Sequence, residues 1–224
     1  AKILQYLDTP QYLRKLLYPI DDDLRYGGIL PPLRGPHHPS PGELDRLSPG
    51  DLRDGVIVSS GFAGSEVDVG LGKPVTLIDP LQEVGRRVIV KMLGVDQDLL
   101  ARLALPEEIQ LYRGYVCCDC KTTLSSLVSN PEFDLRIATS RKGEPWGRVS
   151  KEIGRRFAEA RSTLLLFGSP RAGLADILSH ENLKLKDVVH FTVNTIPLQG
   201  TATVRTEEAI LASLALLRAL EETG

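Results

Sequence analysis

Thr163-Leu164-Leu165-Leu166-Phe167, followed at once by Gly168-Ser169-Pro170-Arg171-Ala172-Gly173, is the stretch on which the fold turns. An apolar run without polar alternation suits a strand covered on both faces, as in a parallel sheet flanked by helices. The small and polar residues after it read as a loop. Working outward, the same order recurs. Asp134-Leu135-Arg136-Ile137-Ala138 reads as a strand ending in the loop Thr139-Ser140-Arg141-Lys142-Gly143. Val188 to Val193 reads as another, ending in Asn194-Thr195-Ile196-Pro197-Leu198-Gln199-Gly200-Thr201. Helices are expected over Lys151–Ala160, with a basic outer face, and over Glu207–Leu220, where Ile210, Leu211, Leu214, Leu217 and Leu220 form a helical stripe. Thr206 is placed to cap this last helix, and Glu207 and Glu208 complement its dipole. Residues 116–224 therefore predict an α/β fold with a mainly parallel sheet covered by helices.

Upstream the texture changes. From Gly42 to Tyr115, short runs such as Val56-Ile57-Val58, Val67/Val69/Leu71, Val75 to Ile78 and Val88-Ile89-Val90 are separated by turn residues. Period-two runs at short spacing predict a small antiparallel β module, a barrel, with a brief helical turn at Leu99–Leu105. Before Pro41, Lys2 to Leu17 reads as an amphipathic helix. Gly27 to Pro39 is too rich in proline for helix interior or central strand and reads as a rigid connector. The chain starts at Ala1 with that helical pattern already under way, so a further N-terminal segment is expected. The expected division is 1–41, 42–115 and 116–224.

Composition narrows the function classes. The chain has 224 residues, 42% hydrophobic and 25% charged, with a formal net charge of −2, so it is no polycation. Any nucleic-acid contact must come from a local basic face. Arg136, Arg141, Lys142, Arg148, Lys151, Arg155, Arg156 and Arg161 make the densest basic stretch, either an RNA-facing surface or a solvated helix face. The β module is acid-rich and a poorer RNA grip. Tyr12, Tyr112, Tyr115 and Trp146 are candidates for base stacking, with core packing as the alternative. No apolar run approaches the roughly 20 residues that span a bilayer, and no secretory signal is visible, so a cytoplasmic location is expected. Cys117, Cys118 and Cys120 are a poor disulfide framework and lack paired Cys-x-x-Cys spacing, so no metal site is expected.

Ligands bind beyond the carboxyl ends of strands in open α/β sheets, where glycine lets backbone approach closely. A single glycine there serves a turn just as well. Three such loops on one sheet edge favour a binding site. Gly168 and Gly173 have the spacing that opens a phosphate-binding loop, but Leu174 stands where lysine is required, and no G-x-G-x-x-G follows a strand. An ATPase or a classical dinucleotide enzyme is therefore not expected. A cofactor held by backbone and apolar contacts, such as an adenine ring, remains compatible.

The segment Val193-Asn194-Thr195-Ile196-Pro197-Leu198-Gln199, with Arg205-Thr206-Glu207-Glu208-Ala209 after it, resembles the signature of the SPOUT family of RNA methyltransferases of archaea and eukaryotes. Pro31-Pro32-Leu33-Arg34 with Pro36-His37-His38, Ala138 to Gly143, and Leu166 to Pro170 with Gly173-Leu174 are similar to further stretches of that family. The β module lies where the family inserts an OB-like barrel, closing at Arg113-Gly114-Tyr115. The family's upstream first strand and basic loop have no counterpart in the chain, and Arg141-Lys142 falls where relatives vary.

The resemblance implies a SPOUT α/β knot, the last third of the chain forming a deep trefoil knot that pattern reasoning alone would not propose. It also implies S-adenosylmethionine bent into that knot and a homodimer whose second subunit completes the site. Thr139, Leu166, Gly168, Gly173, Asn194, Ile196, Pro197, Gln199, Gly200 and Thr201 are then the expected cofactor contacts. Arg34, Arg141 and Arg205 are expected near an RNA phosphate or the acceptor base, where a guanidinium fork binds bidentately. His37 and His38 would handle a proton or orient the acceptor, with a packed turn as the alternative. Glu207 or Glu208 would accept a proton or hold Arg205, although helix-start electrostatics also explains both. The implied activity is methyl transfer to RNA, ribosomal RNA first, at a base nitrogen such as that of uridine. A non-catalytic RNA-binding factor for ribosome assembly and a protein methyltransferase stay open as alternatives.

Overall fold

The computed structural model describes residues 1–29, 47–62, 64–95, 98–109, 114–169 and 171–221. Arg34, His37 and His38, with most of the proline-rich connector, Tyr112 and Arg113, lie outside the described residues. The chain divides into two compact units, Ala1–Asp119 and Cys120–Gly224.

In the first unit, helix α1 spans Lys2–Asp8 and α2 spans Arg14–Leu17, with a 3-10 turn at Gln11–Leu13 between them. The single helix expected over Lys2–Leu17 is thus broken. Pro10 is the cause: a residue before proline is driven out of the helical region, and Thr9 is extended at φ −82°, ψ 130°.

Strands β1 (Leu52–Gly61), β2 (Gly64–Asp68), β3 (Val75–Leu77), β4 (Arg87–Gly94) and β5 (Leu100–Leu103) close into a barrel in the order β1-β2-β3-β5-β4. Four of its seams are antiparallel and one, β3 with β5, is parallel, which corrects the purely antiparallel expectation. The helical turn expected at Leu99–Leu105 is also corrected. Leu100 and Ala101 pair with Thr76 and Leu77, and this pairing buries Ala101 in the barrel core beside Val75, Leu77, Val90 and Met92. Pairing from distant strands overrides weak local preference. The alternation Val67/Val69/Leu71 leaves the strand after Asp68, because Asp68 Oδ1 accepts the Gly70 N–H at 2.8 Å and Gly70 turns at φ +83°.

One ion triad ties α1 to the barrel. Arg87 Nη1 donates to Asp8 Oδ2 at 2.8 Å, while its Nε and Nη2 donate to Asp54 Oδ1 and Oδ2 at 3.0 and 2.6 Å. Both carboxylates are buried, with side chains 5% and 2% exposed. Tyr12 Oη adds a hydrogen bond to the Asp54 carbonyl at 2.8 Å. Carboxylates so placed are tolerable only while their cation is present.

In the second unit, α3 (Leu124–Val128) precedes β6 (Leu135–Pro145), α4 (Trp146–Glu159), β7 (Thr163–Leu166), α5 (Leu174–His180), α6 (Leu185–Val188), β8 (Phe191–Asn194) and α7 (Thr206–Glu221). The sheet is three-stranded, ordered β7-β6-β8, and both pairings are parallel. The chain is therefore mixed α/β: a closed barrel, then a helix-covered parallel sheet. Alternation along β6 sends Leu135 and Ile137 to one face, with Ile153, Val193 and Leu217, and Ala138 to the other, with Leu166, Leu174 and Leu178.

Helix α4 starts at Trp146, ahead of the expected Lys151. Trp146, Val149, Ile153 and Phe157 fall on one helical face and pack together, so the helix is set by its buried side. The three arginines of its outer basic face are ion-paired: Arg155 with Glu152 at 2.7 Å and Glu159 at 3.0 Å, Arg156 with Glu152 at 3.2 Å, and Arg148 with Glu144 at 3.8 Å. The strand expected from Val188 begins only at Phe191, since Val188 closes α6. Thr206 is the first residue of α7 rather than its cap. Arg205 precedes the helix: its carbonyl accepts the Ala209 N–H at 2.9 Å, and the Glu208 carboxylate accepts its N–H at 3.2 Å.

Two outcomes follow from these contacts. Arg87→Leu strands two buried carboxylates and lowers stability by about 3–5 kcal/mol in urea unfolding, and an unchanged midpoint would contradict the triad. His190 Nδ1 accepts the Arg136 backbone N–H at 2.9 Å. Partial burial, then the charges of Arg156 and Arg136, hold its pKa below the ordinary 6.5. The unfolded chain therefore takes up this proton first. Stability is full above pH 6.5 and declines as pH falls below it, and His190→Asn should flatten that part of the pH profile.

Candidate functional site

The site begins with a mismatch in register. Along β6, Thr139 and Glu144 both pair with Val193 of β8, so Ser140 to Gly143 are extruded from the ladder. The expected loop at Thr139–Gly143 is thus a bulge within a strand that resumes and runs to Pro145. Gly143 is required here. A Cβ at this position would lie 2.7 Å from the Thr192 carbonyl oxygen and from the Val193 carbonyl carbon.

Side chains then tie this bulge to its neighbours. Thr139 Oγ1 donates to the Leu166 carbonyl at 2.8 Å, joining β6, just before its bulge, to the end of β7. Asn194 Nδ2 donates to the Arg141 carbonyl at 3.2 Å, and its Oδ1 accepts the Ile196 N–H at 3.0 Å. One amide thereby shapes the turn after β8 and holds it to the bulge. Arg141 Nη1 donates to the Ala202 carbonyl at 2.7 Å, and Gln199 Nε2 to that of Thr201 at 2.9 Å. Leu198 sits at the tip of this turn with φ +59°, an uncommon conformation for a non-glycine residue.

The second wall follows β7. Ser169 N–H donates to the Ala172 carbonyl at 2.9 Å, and Asp176 Oδ2 accepts the Gly173 N–H at 3.1 Å, fixing the entry to α5. Gly168 passes so close that a Cβ would lie 3.2 Å from the Ala172 carbonyl oxygen.

These walls line a cavity of about 420 Å³ between the bulge of β6 and the turns after β7 and β8. Thr139, Arg141, Gly168, Gly173, Asn194, Ile196 and Gln199 line it, as do Ser140, Lys142, Ser169 and Arg171. Four expected cofactor contacts do not line it. Leu166 lies in the core at 5% exposure, and Pro197, Gly200 and Thr201 are exposed elsewhere on the same turn. Arg205 and Glu207 are exposed residues on either side of Thr206, which does line the cavity. Arg34, His37 and His38 are not among the described residues.

Several lining residues were missed. Asp176 follows Gly173 by three positions, a helix-start pattern that the sequence displays. Thr195 lay inside a loop already singled out. Leu185, brought in by α6, carries no local signal, and Ala209, brought in by α7, stood out only as part of the Arg205–Ala209 signature. Apolar surface from Leu174, Leu185 and Ile196, beside a carboxylate, hydroxyls and cations, suits a small molecule with a flat apolar part and a polar periphery. Among the described residues, no group of three or more His, Cys, Asp or Glu could hold a metal ion, and no helix is long and apolar enough to cross a membrane.

Comparison with known proteins adds the following. The family described as Putative RNA methyltransferase matches residues 1–217. The chain is 34% identical over 244 residues to the 28S rRNA (uridine-N(3))-methyltransferase of Mus musculus, covering 97% of this chain and 58% of that protein. It is 33% identical over 233 residues to the protein of the same name in Drosophila melanogaster, covering 97% and 46%. An uncharacterized protein of Haloarcula marismortui is 33% identical over 233 residues, covering 98% and 79%. The chain thus spans 58% and 46% of the length of the two named enzymes.

The register mismatch gives a paired test. Gly143→Ala should lower stability by about 1–3 kcal/mol in thermal or urea unfolding, because backbone atoms rather than flexible side chains must give way. Gly147→Ala, where a Cβ meets nothing within 4 Å, should be neutral or stabilising. Equal responses would mean that the bulge is not clamped.

Proposed function

Because the chain belongs to the RNA methyltransferase family that matches residues 1–217, we propose that it transfers a methyl group from S-adenosylmethionine to N3 of a uridine in ribosomal RNA. The observation that carries this reading is the convergence of the β6 bulge and the turns after β7 and β8 on one cavity. Its volume lies in the range of small-molecule sites. Ile196, Leu174 and Leu185 offer apolar surface to an adenine ring, and Asp176 and Thr195 offer polar groups to hydroxyls or an amine. The relatives named for uridine-N(3) methylation of 28S rRNA support the acceptor.

When bound, S-adenosylmethionine supplies an electrophilic methyl group on a sulfonium. The protein's own residues do the rest, holding the uridine base in line and managing the proton that leaves N3. Arg141 lines the cavity, and Arg205 and Glu207 flank the lining residue Thr206, which supports them as the groups that meet the acceptor. The guanidinium groups stabilise charge that develops on the base oxygens, and Glu207 accepts the proton.

In this reading the fold is a SPOUT α/β knot, with 42–115 as its OB-like insertion between 1–41 and 116–224. The barrel order β1-β2-β3-β5-β4 supports the insertion. Ile210, Leu211 and Leu214, exposed along α7 at 38%, 73% and 52%, support a homodimer by leaving an apolar stripe for a second subunit. A cytoplasmic location accords with the free, exposed Cys118 and Cys120.

The test is transfer of tritiated methyl to ribosomal RNA and to protein from the source organism, with calorimetry of cofactor binding alongside. RNA should be labelled at uridine N3. Arg205→Ala should cut labelling about 100-fold or more while sparing cofactor binding, as loss of a charge-stabilising donor does. Label in protein alone would establish a protein methyltransferase. No binding at millimolar cofactor would establish a non-catalytic RNA-binding factor.

A further inference from the structure

Ser213 is the one fully buried polar side chain in the second unit among the described residues, at 0% exposure. It lies on the face of α7 that carries Leu217 and Leu220 into the apolar core, so its hydroxyl hydrogen needs an acceptor within the protein. The only hydrogen-bond partner of Ser213 Oγ among the described residues is Thr195 Oγ1, at 2.9 Å.

Two hydroxyls carry two hydrogens, and one contact uses only one of them. Distance alone leaves the direction open, but surroundings settle it. If Thr195 donated, the Ser213 hydrogen would be left unsatisfied in an apolar interior, the more costly arrangement. Ser213 therefore donates and Thr195 accepts. The Thr195 hydrogen is left over, and Thr195 lines the cavity between Asn194 and Ile196. Its neighbours spend donors internally: Thr139 on the Leu166 carbonyl, Asn194 on that of Arg141 and Gln199 on that of Thr201.

We propose that Thr195 is a ligand-contacting residue whose hydroxyl, oriented by Ser213, donates a hydrogen bond to an acceptor atom of the adenosyl group, a ring nitrogen or ribose oxygen. The inference rests on the cavity being the S-adenosylmethionine site. Ser213 acts through Thr195 and is a positioning residue. It also ties the apolar helix α7 to the wall that grips the ligand.

Calorimetry with S-adenosylmethionine and S-adenosylhomocysteine tests this, alongside thermal unfolding. Thr195→Val, nearly isosteric, should weaken both ligands about three- to tenfold, the usual worth of one neutral hydrogen bond, and Thr195→Ser should restore most of it. Ser213→Ala should weaken binding by a smaller factor while the unfolding temperature holds or rises, because an apolar group replaces a buried polar one. Wild-type affinity in both Thr195→Val and Ser213→Ala overturns the proposal, as does a loss of stability with affinity unchanged, the mark of a packing device. Failure of the wild-type protein to bind either ligand is a different result: it removes the cofactor reading itself, and this inference with it.

Discussion

Val193 faces two residues of β6 at once, Thr139 and Glu144, and the architecture of the second unit follows from that surplus of chain. A parallel strand cannot absorb Ser140 to Gly143 in its ladder, so they rise beyond the sheet edge where β7 and β8 also end. Gly143 permits the bulge by pressing bare backbone against β8. Asn194 and Arg141 then fix its height through carbonyls on opposite sides. The cavity is the space left between a strand that overshoots and two that stop.

The barrel shows the same economy in a different medium. Arg87 lies on a strand and reaches two carboxylates, one from a neighbouring strand and one from α1. Burial makes each acid dependent on that cation, and detaching the helix would break the Arg87–Asp8 pair while leaving Arg87 on Asp54. Short helices such as α1 have little stability of their own. Here the anchoring is electrostatic and steric together, with Tyr12 packed against Gly70 and hydrogen-bonded to the Asp54 carbonyl.

What could be read in the sequence divides by the range of the forces involved. The apolar run Thr163–Leu166 and the polar segments after the strands were legible because burial on two faces and chain reversal leave local marks. Pro10 was legible too, and its power to end a helix is what the unbroken Lys2–Leu17 reading overlooked. Leu100–Leu103 was not legible as strand: four residues with one arginine become β structure only because β3 and β4 offer edges on both sides. The start of α4 was hidden because Trp146 reads as an isolated aromatic until Ile153 and Phe157 share its face. In the site, residues next to the turns were found, whereas Leu185 and Ala209 arrive from helices whose approach no local pattern encodes.

The cations of α4 carry a further consequence. Arg155 and Arg156 share Glu152, Arg155 also holds Glu159, and Arg148 faces Glu144. A polyanion approaching these arginines would meet charges already compensated and would have to displace carboxylates before gaining contacts, while Lys151 is a cation of the helix with no carboxylate partner among the described residues. Little condensed salt would be shed from the nucleic acid at the arginines, so they add little steepness to any dependence of affinity on ionic strength. Lys142 and Arg171, which line the cavity, are among the cations without carboxylate partners among the described residues, with Lys151 and Arg205, and such charges are left to set that slope.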